Sequence, residues 1–320
     1  MLRASKFRFV AAAACALAVA WAQGSGDDAP VAITPRILTK NKARPPGAIQ
    51  VDVRLILVPV TVTDAYDAPV SGLPREAFRL FEEGVEQQVK YFATQDAPVS
   101  LGVVFDASRS MAGKLEQSRA AVGRVFNTAV PGDEFFVVEF NDAPRVLCDF
   151  TTDTERIEKS LVAIQPQNWT ALYDAVYMAI RQMKHARNPR KALLILSDGG
   201  DNNSRYTKPE MRALVREADV CIYSIGLIGG GFIQRHVGLL RQLSEDTGGR
   251  SYQVEKMSDL PEAVAKLNAA MRHQYLLGYS SSNPINNGLY RKIEVRLNAG
   301  PDAPRLRATW RTGYYAPDDR

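Results

Sequence analysis

From Pro98 to Gln274 the chain repeats one grammar, a short apolar run followed by a longer stretch with helical spacing. Val99-Ser100-Leu101-Gly102-Val103-Val104-Phe105 is almost continuously apolar and stops at Asp106, as expected of a strand covered on both faces of a parallel sheet. Residues 135–140, 192–198, 220–225 and 251–254 read in the same way. Between them, helices are expected around 115–126 and over about 153–163, 170–185, 208–217, 232–246 and 258–274. The third shows the pattern best, with Leu172, Ala175, Val176, Ala179, Ile180 and Met183 at i, i+3, i+4, i+7 spacing. Strands alternating with helices specify a doubly wound sheet. The expected fold class is α/β, a mostly parallel Rossmann-like sheet over 98–275.

On either side the period changes to two. Val51, Val53, Leu55, Leu57, Pro59 and Thr61 alternate with Asp52, Arg54, Ile56, Val58 and Val60, which predicts a strand. The Asp64–Pro69 stretch is a turn, and short strands follow near Phe78–Gly84 and Gln87–Phe92. About four strands fit here, too few for a complete sandwich. After Gln274 strands return at 275–279, 291–297 and 305–310, with turns at Asn287-Gly288 and Gly300-Pro301-Asp302. Together the two parts would complete one sandwich, so the α/β domain is expected to be inserted in a small discontinuous β-sandwich of 49–97 and 276–320. A chain of 320 residues, 46% hydrophobic and 23% charged, has material for both cores.

Residues 1–22 carry Arg3, Lys6 and Arg8 and no acid, then an apolar run from Phe9 to Ala22 that ends Ala20-Trp21-Ala22. This is the pattern of a secretory signal peptide, cut after Ala22. The run is 14 residues, short of the roughly 20 that span a bilayer, which opposes an uncleaved anchor. Lipidation at Cys15 is opposed by Ala12, which stands where a lipobox carries Leu. Residues 23–48, rich in Gly, Asp, Pro and Lys, read as a flexible leader. Loss of the three N-terminal cations lowers the formal charge from +5 to +2, so the pI near 9.0 does not imply nucleic acid. No second apolar stretch approaches spanning length. The expected location is secreted or periplasmic, with no integral membrane span in the mature chain. Cys148 and Cys221 then remain, each in an apolar extended segment that favours a buried free thiol. A disulfide between them is the alternative that an oxidising compartment permits.

The chemistry gathers at strand ends. In an open parallel sheet, ligands bind outside the carboxyl ends of the strands. Asp106-Ala107-Ser108-Arg109-Ser110 follows the first buried strand, Thr170 opens a helix, and Asp198 ends the strand before Gly199-Gly200. Asp106, Ser108, Ser110, Thr170 and Asp198 supply two carboxylates and three hydroxyls. Hard oxygen donors of this kind suit Mg²⁺, Mn²⁺ or Ca²⁺ over zinc or copper. Because three donors are neutral, a bound divalent ion is no more than charge-balanced and keeps an exchangeable position, which can accept a carboxylate from another molecule.

In order and context these residues resemble the metal-ion-dependent adhesion site of von Willebrand factor type A domains: the D-x-S-x-S loop, a Thr about sixty residues on and a Ser-Asp-Gly about ninety residues on. The resemblance implies that the five hold an ion directly or through water, and that the partner is a protein presenting an acidic residue. The flanks, including Val60–Asp64, Gln274–Tyr279 and Gly313-Tyr314-Tyr315, are similar to those of a group of secreted bacterial type A domain proteins abundant in acidobacteria. Two residues depart from the family pattern. Arg109 stands where Gly is usual and either opposes metal, attracts an acidic partner or turns into solvent. Trp169 follows Asn168 where a Gly pair is common, and is either an exposed rim anchor or packed under the loop.

Other motifs are weaker. Asp201-Asn202-Asn203 lacks the spacing of an EF-hand and reads as a polar turn. Gly229-Gly230-Gly231 has no Lys-Ser/Thr after it and reads as a connection. His185, His236 and His273 fall in expected helices away from strand carboxyl ends, and no G-x-S-x-G elbow occurs. The leading expectation is therefore a metal-dependent binding module and not an enzyme. An envelope structural component with a purely structural metal is second, and a metal-assisted hydrolase third.

Overall fold

A computed structural model describes residues 55–94, 98–167, 169–228, 234–298 and 306–318, with side chains 234–237 excepted. The expected signal peptide and leader, residues 51–54, Asn168, the 229–231 connection, the His236 side chain and the 300–302 turn lie outside them.

Four strands come first: β1 (Ile56–Thr63), β2 (Phe78–Glu82), β3 (Val85–Gln87) and β4 (Val89–Ala93). The alternating segment supplies β5 (Val99–Asp106), α1 (Leu115–Phe126), β6 (Glu134–Phe140), β7 (Pro144–Thr151), α2 (Thr154–Val162) and α3 (Leu172–Gln182). It continues through β8 (Arg190–Ser197), α4 (Lys208–Glu217), β9 (Cys221–Leu227), α5 (Gln234–Asp246), β10 (Ser251–Val254) and α6 (Leu260–Arg272). Its strands form one sheet in the order β10-β9-β8-β5-β6-β7. All pairs are parallel except β6 with β7, which is antiparallel at the edge.

Burial on both faces explains the unbroken apolar runs. Along β5, Val99, Leu101, Val103 and Phe105 enter the core beneath α1, α2 and α6, while Val104 enters the core beneath α3, α4 and α5. Successive strand residues point to opposite faces, so a strand between two helical layers cannot alternate with polar residues. Helix starts follow local chemistry. Asp153 caps α2 by accepting from Arg156 N at 3.1 Å, and Thr207 with Glu210 forms a capping box on α4.

Two expectations are adjusted, and the reading of both cysteines as buried free thiols holds. The helix expected from 170 begins at Leu172, because Ala171 has non-helical φ −104° and ψ 62°, and its last turn, Met183–His185, is 3₁₀. The sheet gains β7 as a sixth, antiparallel strand. Cys148 and Cys221 are both free and buried. Cys148 lies on β7 and Cys221 on β9, four strand positions apart. At about 4.8 Å per position that is ~19 Å, far beyond disulfide reach.

The chain closes with β11 (Gln274–Tyr279), β12 (Tyr290–Leu297), β13 (Arg307–Trp310) and β14 (Gly313–Tyr315). Two antiparallel sheets result, β13-β1-β11-β4 and β14-β12-β2-β3, with one strand more from the C-terminal segment than expected. Val58, Val60, Leu80, Leu277, Ile293 and Val295 share one core, so the two sheets form a sandwich. Each sheet mixes strands from before and after the α/β layer, which is therefore inserted in the sandwich. Inside it, buried Glu82 and Arg291 pair at 3.1 Å, and Tyr279 and Tyr314 donate to the other Glu82 oxygen at 2.7 and 3.0 Å.

The sandwich meets the α/β layer through polar contacts. Arg311 pairs with Asp219 at 3.2 Å, and Arg250 pairs with Asp67 at 2.7 Å and donates to Thr63 at 3.2 Å. Gly248 has φ 80°, and a Cβ there would lie 2.5 Å from Arg311 N, so the close approach of the two backbones requires glycine.

Candidate metal site

The chain leaves β5 for β6 on one side and returns to β8 on the other. Connection order thus reverses beside β5, at the carboxyl ends of β5 and β8, the kind of position at which open α/β sheets bind ligands. The parallel register Phe105↔Leu196 brings Asp106 level with Ser197, one residue before Asp198. Two carboxylates 92 positions apart in the chain therefore meet because their strands are neighbours.

Asp106 is fully buried. Its Oδ1 accepts from Ser108 N at 2.8 Å and its Oδ2 from Ser197 Oγ at 2.5 Å. The hydroxyl oxygens of Ser108 and Ser110 lie 3.0 Å apart; Ser108 is buried and Ser110 exposed. Asp198 is buried, and its Oδ2 has no hydrogen-bond partner. Lys114 Nζ lies 3.8 Å from that oxygen, beyond hydrogen-bond length. Burial, reinforced by the charge of Asp198 and opposed by hydrogen bonds from Ser108 and Ser197, pushes the Asp106 carboxyl up to about 6.

Thr170 is buried at the start of α3 and is held by the loop after Asp198. Its N–H donates to Asn202 Oδ1 at 2.8 Å, and its carbonyl accepts from Asn202 N at 2.9 Å and Asn203 N at 3.2 Å. Gln167 N donates to Ala107 O at 2.8 Å, tying the Thr170 loop to the Asp106 loop. The Asp106, Thr170 and Asp198 loops are thus laced together by hydrogen bonds.

Among the described residues no three His, Cys, Asp or Glu side chains converge as a metal would require. Any cation held here depends on two carboxylates and neutral hydroxyls. The orphaned Asp198 oxygen and the repulsion between two buried carboxylates are both relieved by a hard divalent cation, so the donor set fits one.

Of the two departures, Arg109 is exposed in the 3₁₀ turn Arg109–Met111, and Trp169 is 55% exposed with its N–H donating to Asp142 Oδ1 at 2.8 Å. Sequence reasoning missed Ser197, Lys114, Asn202 and Asn203. Ser197 stood next to Asp198 and was legible as a neighbour. Asn202 and Asn203 read as a polar turn because nothing local marks a bond to Thr170, 32 residues away.

Comparison with known proteins gives a consistent family. A sequence family model described as von Willebrand factor type A domain matches residues 101–200, the span from β5 through Asp198. Inter-alpha-trypsin inhibitor heavy chain H4 of Bos taurus is 26% identical over 187 residues, covering 53% of this chain and 20% of the relative. An uncharacterized protein of Borreliella burgdorferi is 27% identical over 180 residues, covering 50% of this chain and 52% of that one. Among solved structures, proximal thread matrix protein 1 from the mussel byssus, with a zinc-occupied MIDAS motif, aligns with TM-score 0.50 and 18% identity. That alignment covers 59% of this chain and 49% of the mussel chain. The chain thus spans about a fifth of the heavy chain's length and about half of the other two. The segment 101–200 thus matches a von Willebrand factor type A domain, and it lies within the mostly parallel sheet between helical layers.

Proposed function

We propose that this chain is a divalent-metal-dependent protein-binding module of adhesion type. Asp106, Ser108, Ser110, Thr170 and Asp198 hold Mg²⁺, or Mn²⁺ or Ca²⁺ in its place, directly or through water. The observation that carries this reading is the buried Asp198 oxygen, without a hydrogen bond and with Lys114 no nearer than 3.8 Å, beside a second buried carboxylate at the strand ends. When bound, the ion supplies an exchangeable coordination position that a carboxylate of the partner completes. Ser108 N and Ser197 Oγ orient Asp106, while Asn202 and Asn203 fix Thr170. Ser110 lies at the exposed mouth, and exposed Arg109 and Trp169 form a rim suited to a charged partner and an aromatic anchor.

The module is read as binding and not catalytic. His185 closes the turn after α3 and His273 follows α6, and neither is on a loop that carries a candidate ligand. We also propose export to the secreted or periplasmic space by a signal peptide cut after Ala22, followed by a leader of 23–48. The domain boundaries proposed are 49–97 and 276–320 for the β-sandwich and 98–275 for the type A domain. Among the described residues no helix is long and apolar enough to cross a membrane. Mass analysis of the purified native protein tests the cleavage.

The functional test has two stages on the mature chain. Thermal shift with Mg²⁺, Mn²⁺, Ca²⁺ and Zn²⁺, the last because the mussel protein carries zinc, should show stabilisation that Thr170→Ala and Ser110→Ala reduce. Pull-down from the native envelope and secreted fraction, in Mg²⁺ against EDTA with an Asp106→Ala control, should retain a partner only on wild type with Mg²⁺. No response to any ion would overturn the metal reading. Equal capture in all three conditions would favour a structural role.

A further inference from the structure

Beside the candidate metal loops, α3 and the 201–210 segment enclose an open groove of about 1200 Å³. It is lined by a stacked tyrosine pair, Tyr177 and Tyr206, with ring centroids 4.2 Å apart and planes inclined by 21°. The Arg181 guanidinium lies 5.8 Å from the Tyr177 ring centroid. Lys184 and Arg205 line the same groove, and all three cations are exposed. None of the three forms an ion pair with another described residue.

The acids of the groove are turned toward backbone instead. Asp142 Oδ1 accepts from Trp169 N at 2.8 Å. Asp174 Oδ1 accepts from Arg205 N at 2.9 Å and Tyr206 N at 3.1 Å, and Glu210 Oε2 from Thr207 N at 2.8 Å. Their charges are partly met by peptide dipoles, whereas the three cations form no ion pair among the described residues. The groove also runs on from the metal loops. Asn203, on its wall, donates from its backbone N to Thr170 O at 3.2 Å and from its side chain to Asp142 O at 2.7 Å.

We propose that this groove takes the continuation of the partner segment, an extended acidic peptide, in an inference that rests on the metal-dependent reading above. One carboxylate reaches the metal loops, and further carboxylates of the same segment pair with Arg181, Lys184 and Arg205. Along α3, the nine positions from Leu172 to Arg181 rise about 14 Å at 1.5 Å each. An extended peptide spans that in about four residues at ~3.3 Å each. The recognised pattern is therefore one acidic residue followed four to five positions later by others. The stacked tyrosines offer a rigid, amphipathic wall for the peptide between the two anchors. A polyphosphate chain fits less well, because regularly spaced phosphates would also meet Asp142, Asp174 and Glu210.

Two acetylated, amidated hexapeptides test this: Asp-Gly-Gly-Gly-Glu-Glu and Asp-Gly-Gly-Gly-Gln-Gln, titrated into the isotope-labelled mature chain with and without Mg²⁺. The two additional carboxylates of the first peptide, each in an exposed ion pair, yield about a fivefold advantage at low salt. Its binding should move the amide signals of Tyr177, Arg181 and Tyr206 as well as those of the metal loops. The combined Arg181→Gln, Lys184→Gln and Arg205→Gln variant should bind both peptides with the affinity wild type has for the second. Equal affinities on wild type, an advantage retained by the triple variant, or signals unmoved at Tyr177 and Tyr206 would each overturn the groove inference. Metal-loop shifts with Mg²⁺ in those cases leave the metal reading standing. Groove shifts indifferent to Mg²⁺ would sink the metal reading and keep an acidic-peptide groove. Binding of neither peptide overturns the groove, and the thermal response to Mg²⁺ then decides the metal reading separately.

Discussion

Replacing Asp106 by Asn should stabilise the metal-free protein while abolishing its response to metal. Burial, with the charge of Asp198 added, moves the Asp106 carboxyl from 3.8 to about 6. A raised carboxyl pKa means that the fold holds the proton more tightly than the unfolded chain does. The contribution of this group is therefore full at low pH and is lost as pH rises from 3.8 through about 6. At 1.36 kcal/mol per pH unit, ionised Asp106 destabilises the metal-free fold at pH 7 by about 3 kcal/mol. Asn avoids that charge and keeps most of the hydrogen bonding. Its carbonyl still accepts from Ser108 N, and its amide donates to Ser197 Oγ, which also accepts from Gly199 N at 2.9 Å. Allowing about 1 kcal/mol for weaker bonds, the net gain is about 2 kcal/mol, or ~3 °C in melting temperature for a chain of this size. Thermal scans in EDTA at pH 7 and near pH 4.5, repeated with Mg²⁺, provide the assay. The variant should melt above wild type in EDTA at pH 7, the gap should narrow near pH 4.5, and only wild type should gain from Mg²⁺. A variant that melts below wild type in EDTA at pH 7, or that gains equally from Mg²⁺, would refute this account.

Lys114→Met removes the one cation within 4.0 Å of Asp198 among the described residues. It should lower the melting temperature in EDTA and tighten Mg²⁺ binding several-fold by calorimetry, and weaker binding would mean that Lys114 supports the site. Asn202→Ala deletes the acceptor of Thr170 N and should weaken Mg²⁺ binding about tenfold, a bond of this kind contributing ~1 kcal/mol plus the loss of loop order. An unchanged affinity would show that Thr170 does not depend on that loop. In the sandwich, Arg291→Met leaves buried Glu82 without its cation and should destabilise by about 3–5 kcal/mol in urea titrations, whereas a loss under 1 kcal/mol would contradict burial of that pair.

What the sequence determined by itself is what depends on periodicity. The unbroken apolar run ending at Asp106 already required a strand covered on both faces, because each of its side chains meets one of two cores. The period of two at Val58, Val60 and Val62 likewise required one face turned into a sandwich. A carboxylate at the end of such a strand was legible as a candidate ligand, since strand ends are where an open sheet binds ligands. Periodicity says nothing about which strand lies next to which. The adjacency of β5 and β8, which brings Asp106 to Ser197 and Asp198, is decided by the order of strands in the sheet. So is the separation of Cys148 from Cys221 by three intervening strands. The bond from Thr170 to Asn202, the approach of Lys114 to Asp198, and the groove of Tyr177, Tyr206 and Arg181 join residues from different elements. Such contacts are set by packing at long range, where a turn of polar residues looks the same whether it faces water or holds a ligand loop in position.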